Sequence, residues 1–174
     1  MGTATTASEY AKLVEGTDTK ILDTRKTLPG LRRAQKYAVK VGGCDNHRMG
    51  LYDAYLIKEN HIAACGSIRS AVENARRLAS EKLVEIEVED IEQLQQALDA
   101  EADIVMLDNF DSKMASEAIR IQTELVKYEV SGNVDLDKLK ALPKTGVDYV
   151  SSGSLTKHCK AVDLSMRAEQ NSDD

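Results

Sequence analysis

Three carboxylates recur along the chain at a constant spacing. Glu87, Asp108 and Glu129 stand 21 residues apart, and each follows a short aliphatic, β-branched or aromatic stretch. A strand, a helix and two loops occupy about that length, so the spacing predicts successive parallel βα units with an acid at each strand end. The carboxyl ends of barrel strands meet at one mouth, so we expect one acidic cluster, whose oxygens suit Mg²⁺.

Cationic side chains follow the first two predicted strands. Arg25 and Lys26 come after the first strand, Lys58 comes after the second, and His47 and Arg48 lie in the loop between them. We call these five residues the basic wall and the three carboxylates the acidic wall. Walls of opposite charge at one mouth suit a polyanionic substrate that also carries a metal ion or develops positive charge.

Small hydrogen-bonding loops follow the last two predicted strands. They are Ser131-Gly132-Asn133 and Ser151-Ser152-Gly153-Ser154. In β/α barrels such loops often bind phosphate, because backbone N–H groups and a helix N-terminus point at the anion. We call these two loops the rim and expect the rim to bind a phosphate group.

The segments that must position these residues alternate between strand-like and helix-like patterns. The predicted strands end at Asp23, Ile57, Glu87, Asp108, Glu129 and Val150. Six strands fall short of a complete eight-stranded barrel, which typically has about 250 residues. Charges at nearly every strand end favour an α/β fold with an incomplete, open β/α barrel of about six parallel strands over a doubly wound sheet. The sequence also lacks a dinucleotide fingerprint and a P-loop.

Two predicted helices illustrate how the sequence assigns buried faces. One follows Thr27 as its cap, and its predicted buried stripe is Leu31, Ala34, Ala38 and Val41. The other runs over residues 67–80 and has the clearest helical period of the chain. Its predicted apolar face is Ile68, Ala71, Val72, Ala75, Leu78 and Ala79.

The third predicted strand alternates acidic and apolar residues. Glu85, Glu87 and Glu89 share one face, opposite three aliphatic residues. In a barrel the aliphatic face packs on the helices, so the carboxylates point inward and need cationic partners. Lys26 and Lys58 are the candidates.

Composition bounds the class of protein. The 174 residues, 42% of them hydrophobic, suit one domain, and a net charge of −6 argues against nonspecific nucleic-acid binding. The sequence has neither a membrane span nor a signal peptide, and its three cysteines have no pairing or metal-ligand spacing. We expect free thiols and a cytoplasmic protein that binds no membrane.

Several stretches resemble quinolinate phosphoribosyltransferase over about residues 3–166. They are residues 21–32, 46–51, 56–61, 106–109 and 129–133. The resemblance implies a glycosyltransferase of NAD biosynthesis that converts quinolinate and phosphoribosyl pyrophosphate, with Mg²⁺, into nicotinate mononucleotide, pyrophosphate and carbon dioxide.

The resemblance also implies roles for single residues. Arg25, His47 and Arg48 would bind the quinolinate carboxylates. The catalytic residues would be Lys26, Lys58, Glu87 and Asp108, with Glu87 and Asp108 also holding the metal ion. Further substrate-binding residues are expected at Glu129, Ser131, Gly132, Ser152 and Gly153. In the last loop either Lys157 or His158 would contact the phosphate.

Domain organisation differs from that of the family. Family members carry an N-terminal α/β domain of roughly 100 residues before the point where this chain starts, and they form homodimers. We expect residues 1–168 to be the barrel domain alone and residues 169–174 to be a polar tail. Two alternatives stay open: a non-catalytic fragment with residual substrate binding, and another phosphate-handling barrel enzyme, such as a Schiff-base aldolase using Lys58.

Overall fold

The computed structural model describes residues 2–121, 123, 125–132, 139 and 142–168; the predicted tail, 169–174, lies outside them. The strands are β1 Lys20–Leu22, β2 Tyr55–Ile57, β3 Val84–Val88, β4 Ile104–Asp108, β5 Lys127–Ser131 and β6 Tyr149–Ser151. The helices are α1 Gly2–Leu13, α2 Arg32–Val41, α3 Glu59–Cys65, α4 Ile68–Leu78, α5 Ile91–Asp99, α6 Ser112–Arg120 and α7 Ser154–Lys157, with a 3₁₀ turn at Leu142–Thr145.

All six strands form one parallel sheet in the order β1-β6-β5-β4-β3-β2. β1 and β2 are its two edges, although they would be neighbours in a closed barrel. A single bridge, between Leu22 and Asp45, lies at this opening. The prediction of an open β/α barrel is therefore confirmed.

The helices cover one face of the sheet and build the core there. Val84, Ile86 and Val88 are fully buried, as are Val105 and Leu107 of β4. The acidic residues of β3 alternate with these and face the other side, as predicted. Cys44, Cys65 and Cys159 are free thiols. No described helix combines the length and the apolar character that a bilayer crossing requires.

Helix α4 follows its sequence pattern except at its end. Ser67 is the N-cap and accepts a hydrogen bond from the Ser70 amide at 3.0 Å. Ile68, Ala71, Val72 and Ala75 are buried as predicted, whereas Leu78 is 69% exposed. The last turn of the helix extends beyond the packed interface.

Helix α2 is rotated relative to its prediction. It begins at Arg32 without a side-chain cap, and Thr27 does not cap it. Its buried residues are Gln35, Lys36, Ala38 and Val39, while Leu31, Ala34 and Val41 are exposed. The reason is polar: Lys36 pairs with the buried Asp23, which turns the expected apolar stripe toward solvent.

Candidate active site

A cavity of about 750 Å³ lies at the carboxyl ends of the strands. Most of the predicted site residues line it: Arg25, Lys26, His47, Arg48, Lys58, Glu87, Asp108, Ser131, Gly132, Ser152 and Gly153. Parallel strands bring their ends to one edge, which is why residues far apart in sequence meet here. Both walls and the rim therefore face one space.

Two arginines of the basic wall lie close together. Burial, and after it the charge of Arg25, lowers the pKa of Arg48. Arg48 donates from Nη1 to the Ala54 carbonyl at 3.0 Å, whereas the buried Nε of Arg25 has no hydrogen-bond partner among the described residues. Neighbouring guanidinium groups with an unused donor suit a ligand with two negative charges.

Lys58 joins the two walls by an ion pair with Glu87. The Glu87 side chain is 13% exposed and that of Lys58 is 43% exposed, so the pair lies at the cavity surface. One of the two predicted cationic partners is therefore present. Among the described residues Lys26 pairs with none of the β3 carboxylates, and Glu89 is exposed beyond the strand end.

Strand register separates Glu129 from the other two acids. Asp108 lies opposite Ser131, while Glu129 lies opposite Met106, two residues deeper in the sheet. β5 continues past Glu129 to Ser131, so Glu129 is 1% exposed and does not line the cavity. The constant spacing in sequence therefore does not put the three acids at one depth in the sheet, and Glu129 is not among the residues that line the cavity. Its expected substrate contact stays a prediction.

Glu129 instead belongs to a buried cluster with His47 and Glu85. His47 Nε2 lies 3.1 Å from Glu85 Oε2 and 3.4 Å from Glu129 Oε2, and His47 Nδ1 accepts the Arg48 amide at 2.8 Å. Burial and the charge of Glu85 raise the pKa of Glu129 to about 8. Burial lowers the pKa of His47, but the hydrogen bond to Glu85 and the two carboxylate charges outweigh it and raise that pKa.

Two carboxylates on the cavity surface have the chemistry of a magnesium site. Asp108 is half-buried and forms no ion pair among the described residues, and one of its oxygens accepts from Asn109 Nδ2 at 2.7 Å. Lys58 engages Glu87 through Oε2, which leaves Oε1 outside that pair. Oxygen donors of this kind fit Mg²⁺. His47, Glu85 and Glu129 also place ligand atoms within 4.8 Å of one another, but of these three only His47 lines the cavity.

The rim requires glycine at one position. Gly132 has a φ of +87°, and a Cβ there would lie 2.3 Å from Asn109 Oδ1. Only glycine avoids both the left-handed strain and this contact. The rim loop therefore approaches the loop after β4 closely, next to Asp108.

The last loop distinguishes its two predicted phosphate ligands. A Cβ on Gly153 would lie 3.0 Å from Lys157 Cε and 3.6 Å from Lys26 Cδ, so both lysines flank the rim. Lys157 and His158 are exposed, and neither lines the cavity. Lys157 is the one beside the rim.

Sequence reasoning missed the buried pair of Asp23 and Lys36. Both side chains are fully buried, and Lys36 Nζ also donates to the His47 carbonyl at 2.8 Å. The available signal was Asp23 itself, an acid that directly continues an apolar strand and so needs a partner. Lys36 lies on the same helix face as Val39, which could have identified that partner.

Comparison with known families gives one match over nearly the whole chain. The family model described as quinolinate phosphoribosyl transferase, C-terminal domain, matches residues 3–167. A probable nicotinate-nucleotide pyrophosphorylase [carboxylating] of Bacillus subtilis is 45% identical over 166 residues, which are 95% of this chain and 57% of the relative. The nicotinate-nucleotide pyrophosphorylase [carboxylating] of Mycobacterium leprae is 44% identical over 168 residues, covering 95% of this chain and 59% of that protein.

Solved structures agree with this match. The nicotinate-nucleotide pyrophosphorylase from Francisella tularensis superposes with a TM-score of 0.91 at 55% identity, covering 94% of this chain and 59% of that chain. A thiamine phosphate pyrophosphorylase from Pyrococcus furiosus, at 14% identity and a TM-score of 0.52, shares the fold alone. The chain thus spans 57–59% of the length of the three nicotinate-nucleotide pyrophosphorylases described above.

Proposed function

Since this chain belongs to the quinolinate phosphoribosyl transferase family, as its C-terminal domain, we propose that its cavity binds quinolinate and phosphoribosyl pyrophosphate. The reaction is transfer of the phosphoribosyl group to the pyridine nitrogen, followed by loss of one carboxylate as carbon dioxide. The products are nicotinate mononucleotide and pyrophosphate, for the synthesis of NAD. The matching relatives are named for this nucleotide chemistry.

The observation that carries the proposal is the pairing of Arg25 and Arg48 in the cavity. Their like charges repel, and Arg25 Nε lacks a partner among the described residues. Quinolinate carries two adjacent carboxylates on a rigid ring, and a guanidinium fork matches a carboxylate in shape and charge. Binding the dicarboxylate would relieve the repulsion and satisfy the unused donor.

The acidic wall supports the transfer step. As pyrophosphate leaves, positive charge develops on the ribose, and the carboxylates of Glu87 and Asp108 stabilise it from the cavity surface. The same two residues would hold Mg²⁺, which supplies positive charge to the departing pyrophosphate. Lys58 pairs with Glu87 in the free protein, so a pyrophosphate that attracts Lys58 also releases Glu87 to act on the ribose.

The second step needs electrostatic help more than an acid or a base. After ribosylation the ring nitrogen is positive, so it stabilises the electron pair that the breaking carbon–carboxylate bond leaves on the adjacent ring carbon. Carbon dioxide leaves and a proton from solvent takes its place on the ring carbon. Arg25 and Arg48 keep the pyridine ring oriented by binding the carboxylate that remains on it.

The rim would bind the 5′-phosphate. Ser131, Gly132, Ser152 and Gly153 line the cavity on that side. Lys157 is the better candidate than His158 for the phosphate contact, because it flanks Gly153 together with Lys26. The homodimer and the cytoplasmic location expected from the sequence remain predictions.

Two alternatives are less well supported. A Schiff-base aldolase needs a lysine that is desolvated in an apolar pocket or lies beside another cation, whereas the Lys58 side chain is 43% exposed and pairs with Glu87. A chain that binds the substrates without converting them would have the same cavity as an active enzyme. Only the absence of turnover would distinguish the two.

Calorimetric titration with quinolinate and with nicotinate tests the proposal. Nicotinate lacks one carboxylate, so it should bind at least about tenfold more weakly if two arginines share the dicarboxylate, a loss of about 1.4 kcal/mol. Equal affinities would contradict the assignment. An assay for nicotinate mononucleotide separates an enzyme from a binding fragment, and borohydride trapping with a carbonyl substrate tests the aldolase.

A further inference from the structure

Residues 45–49, which we call the seam segment, lie beside β1 at the opening of the sheet. Its first residue pairs with β1 as a strand would: the Asp45 amide donates to the Ile21 carbonyl at 2.8 Å, and the Asp23 amide donates to the Asp45 carbonyl at 3.1 Å. Beyond Asp45 no described backbone group of β1 continues the ladder. Past Asp45, side chains rather than the β1 backbone make the hydrogen bonds to the seam segment.

The Asp23 carboxylate makes the next contacts. Its Oδ1 accepts the His47 amide at 2.9 Å and also the Lys36 ammonium group, and its Oδ2 accepts Asn46 Nδ2 at 2.6 Å. A carboxylate thus accepts the His47 amide where a strand carbonyl would do so in a closed barrel.

Lys36 completes the arrangement from helix α2. Its Nζ donates to the His47 carbonyl at 2.8 Å, and Asn46 Nδ2 also donates to the Lys36 carbonyl at 2.9 Å. Both backbone groups of His47 are therefore held by one buried ion pair. The His47 imidazole is held as well, by contacts with Glu85 of β3 and Glu129 of β5.

Stability alone gives a weak account of this pair. Replacing a buried ion pair by apolar groups of similar volume is often neutral or stabilising, because removing two charges from water is costly. What the pair does determine is the position of the seam segment backbone. That position matters because the side chains of His47 and Arg48, both in this segment, line the cavity.

We propose that Asp23 and Lys36 are positioning residues, whose ion pair replaces strand pairing at the seam and fixes His47 and Arg48 for dicarboxylate binding. The proposal rests on the proposed function, because quinolinate is the ligand that it concerns. Neither residue lines the cavity, so both act through the seam segment.

The decisive variant is the double substitution Asp23→Asn and Lys36→Met. It removes both buried charges, so no unpaired charge remains to unfold the chain, but the His47 carbonyl loses its donor. We expect a folded protein whose quinolinate affinity is at least tenfold weaker and whose affinity for phosphoribosyl pyrophosphate changes less than twofold. Lys40→Met is the matched control, since Lys40 forms an exposed pair with Asp45 at 3.0 Å from the same helix, and it should bind both ligands normally.

Amide hydrogen exchange gives a readout that needs no ligand. Exchange at His47 and Arg48 should become at least tenfold faster in the double variant, while exchange at Val39 in α2 stays unchanged. If the wild-type chain does not bind quinolinate, the proposed function fails, and the exchange rates still decide the positioning role.

Two results for a folded double variant would overturn the proposal. One is amide exchange at His47 and Arg48 at the wild-type rates, and the other is a quinolinate affinity equal to that of the wild type. Should the double variant fail to fold, Asn46→Ala decides, because it removes one half-buried amide, which donates to the Asp23 carboxylate and to the Lys36 carbonyl, and leaves the ion pair in place. A selective loss of quinolinate affinity of threefold or more then supports the role, and no loss overturns it.

Discussion

Replacing Glu129 with Gln should remove a pH dependence of stability that the wild-type chain carries. Glu129 is 1% exposed, and burial together with the charge of Glu85 raises its pKa to about 8 from the ordinary value of 4.5. In the unfolded chain the carboxyl group regains that ordinary pKa. The folded chain therefore holds a proton that the unfolded chain releases between these two pH values.

The free energy of unfolding must fall as the pH rises through this window, because the folded state binds more protons than the unfolded state. One pKa unit is worth about 1.4 kcal/mol, so the whole change from 4.5 to about 8 corresponds to a loss of about 5 kcal/mol. Gln has the shape of a protonated carboxyl group and does not titrate. The variant should match the wild type within about 1 kcal/mol near pH 5 and exceed it by about 3 kcal/mol or more near pH 8.5.

Urea unfolding at several pH values between these limits measures the difference. Glu89→Gln is the matched control, because Glu89 directly follows β3 and is exposed, so the same change in charge occurs there without burial. Parallel stability profiles for the wild type and Glu129→Gln would refute the reasoning. Quinolinate affinity near pH 7 should be unchanged in Glu129→Gln, and a tenfold loss would restore the substrate contact that the register argues against.

Three further substitutions test the cavity. Asp108→Asn should lower turnover by about 10²-fold or more with quinolinate affinity nearly intact, since its charge acts mainly in the transition state; steady-state kinetics with the N-terminal domain supplied, and a quinolinate titration, measure both. Arg48→Lys keeps the positive charge but loses the two-pronged guanidinium group, so quinolinate binding measured by calorimetry should weaken by roughly 1.5–3 kcal/mol. An unchanged affinity would show that Arg48 contributes only a positive charge. Gly132→Ala should destabilise the chain by at least about 1 kcal/mol more than Gly66→Ala in thermal unfolding. Both glycines have a positive φ, but only at Gly132 would a Cβ contact Asn109. Equal losses of stability would show that the loop shifts to accommodate the methyl group.

The sequence predicted the strands and several helix starts, because those signals are local. Alternation of acidic and aliphatic residues assigned the two faces of β3, and helix α4 begins at Ile68, next to the start at residue 67 that the helical period predicts. Charges at strand ends predicted the walls, since parallel strands must bring their ends together. The resemblance then assigned chemistry to those positions.

The remaining features depend on contacts that no local pattern records. Helix α2 turns its apolar stripe outward because Lys36 pairs with Asp23, a residue in another element. Glu129 lies below the cavity because β5 is paired with β4 two residues past it, and a spacing in sequence does not define register. Both differences from the sequence interpretation concern charged residues that the chain buries.

The position of β1 in the sheet has a consequence for the order in which the chain can fold. β2, β3, β4, β5 and β6 each pair with the strand that follows or precedes them in sequence, so these pairs can form as synthesis proceeds. β1 pairs instead with β6, where Lys20 lies opposite Tyr149. Until Tyr149 has been synthesised, β1 lacks its partner strand, although α1 and Asp45 can already contact it. Arg25 and Lys26, the earliest of the predicted site residues in the chain, therefore depend on a late strand for their final position.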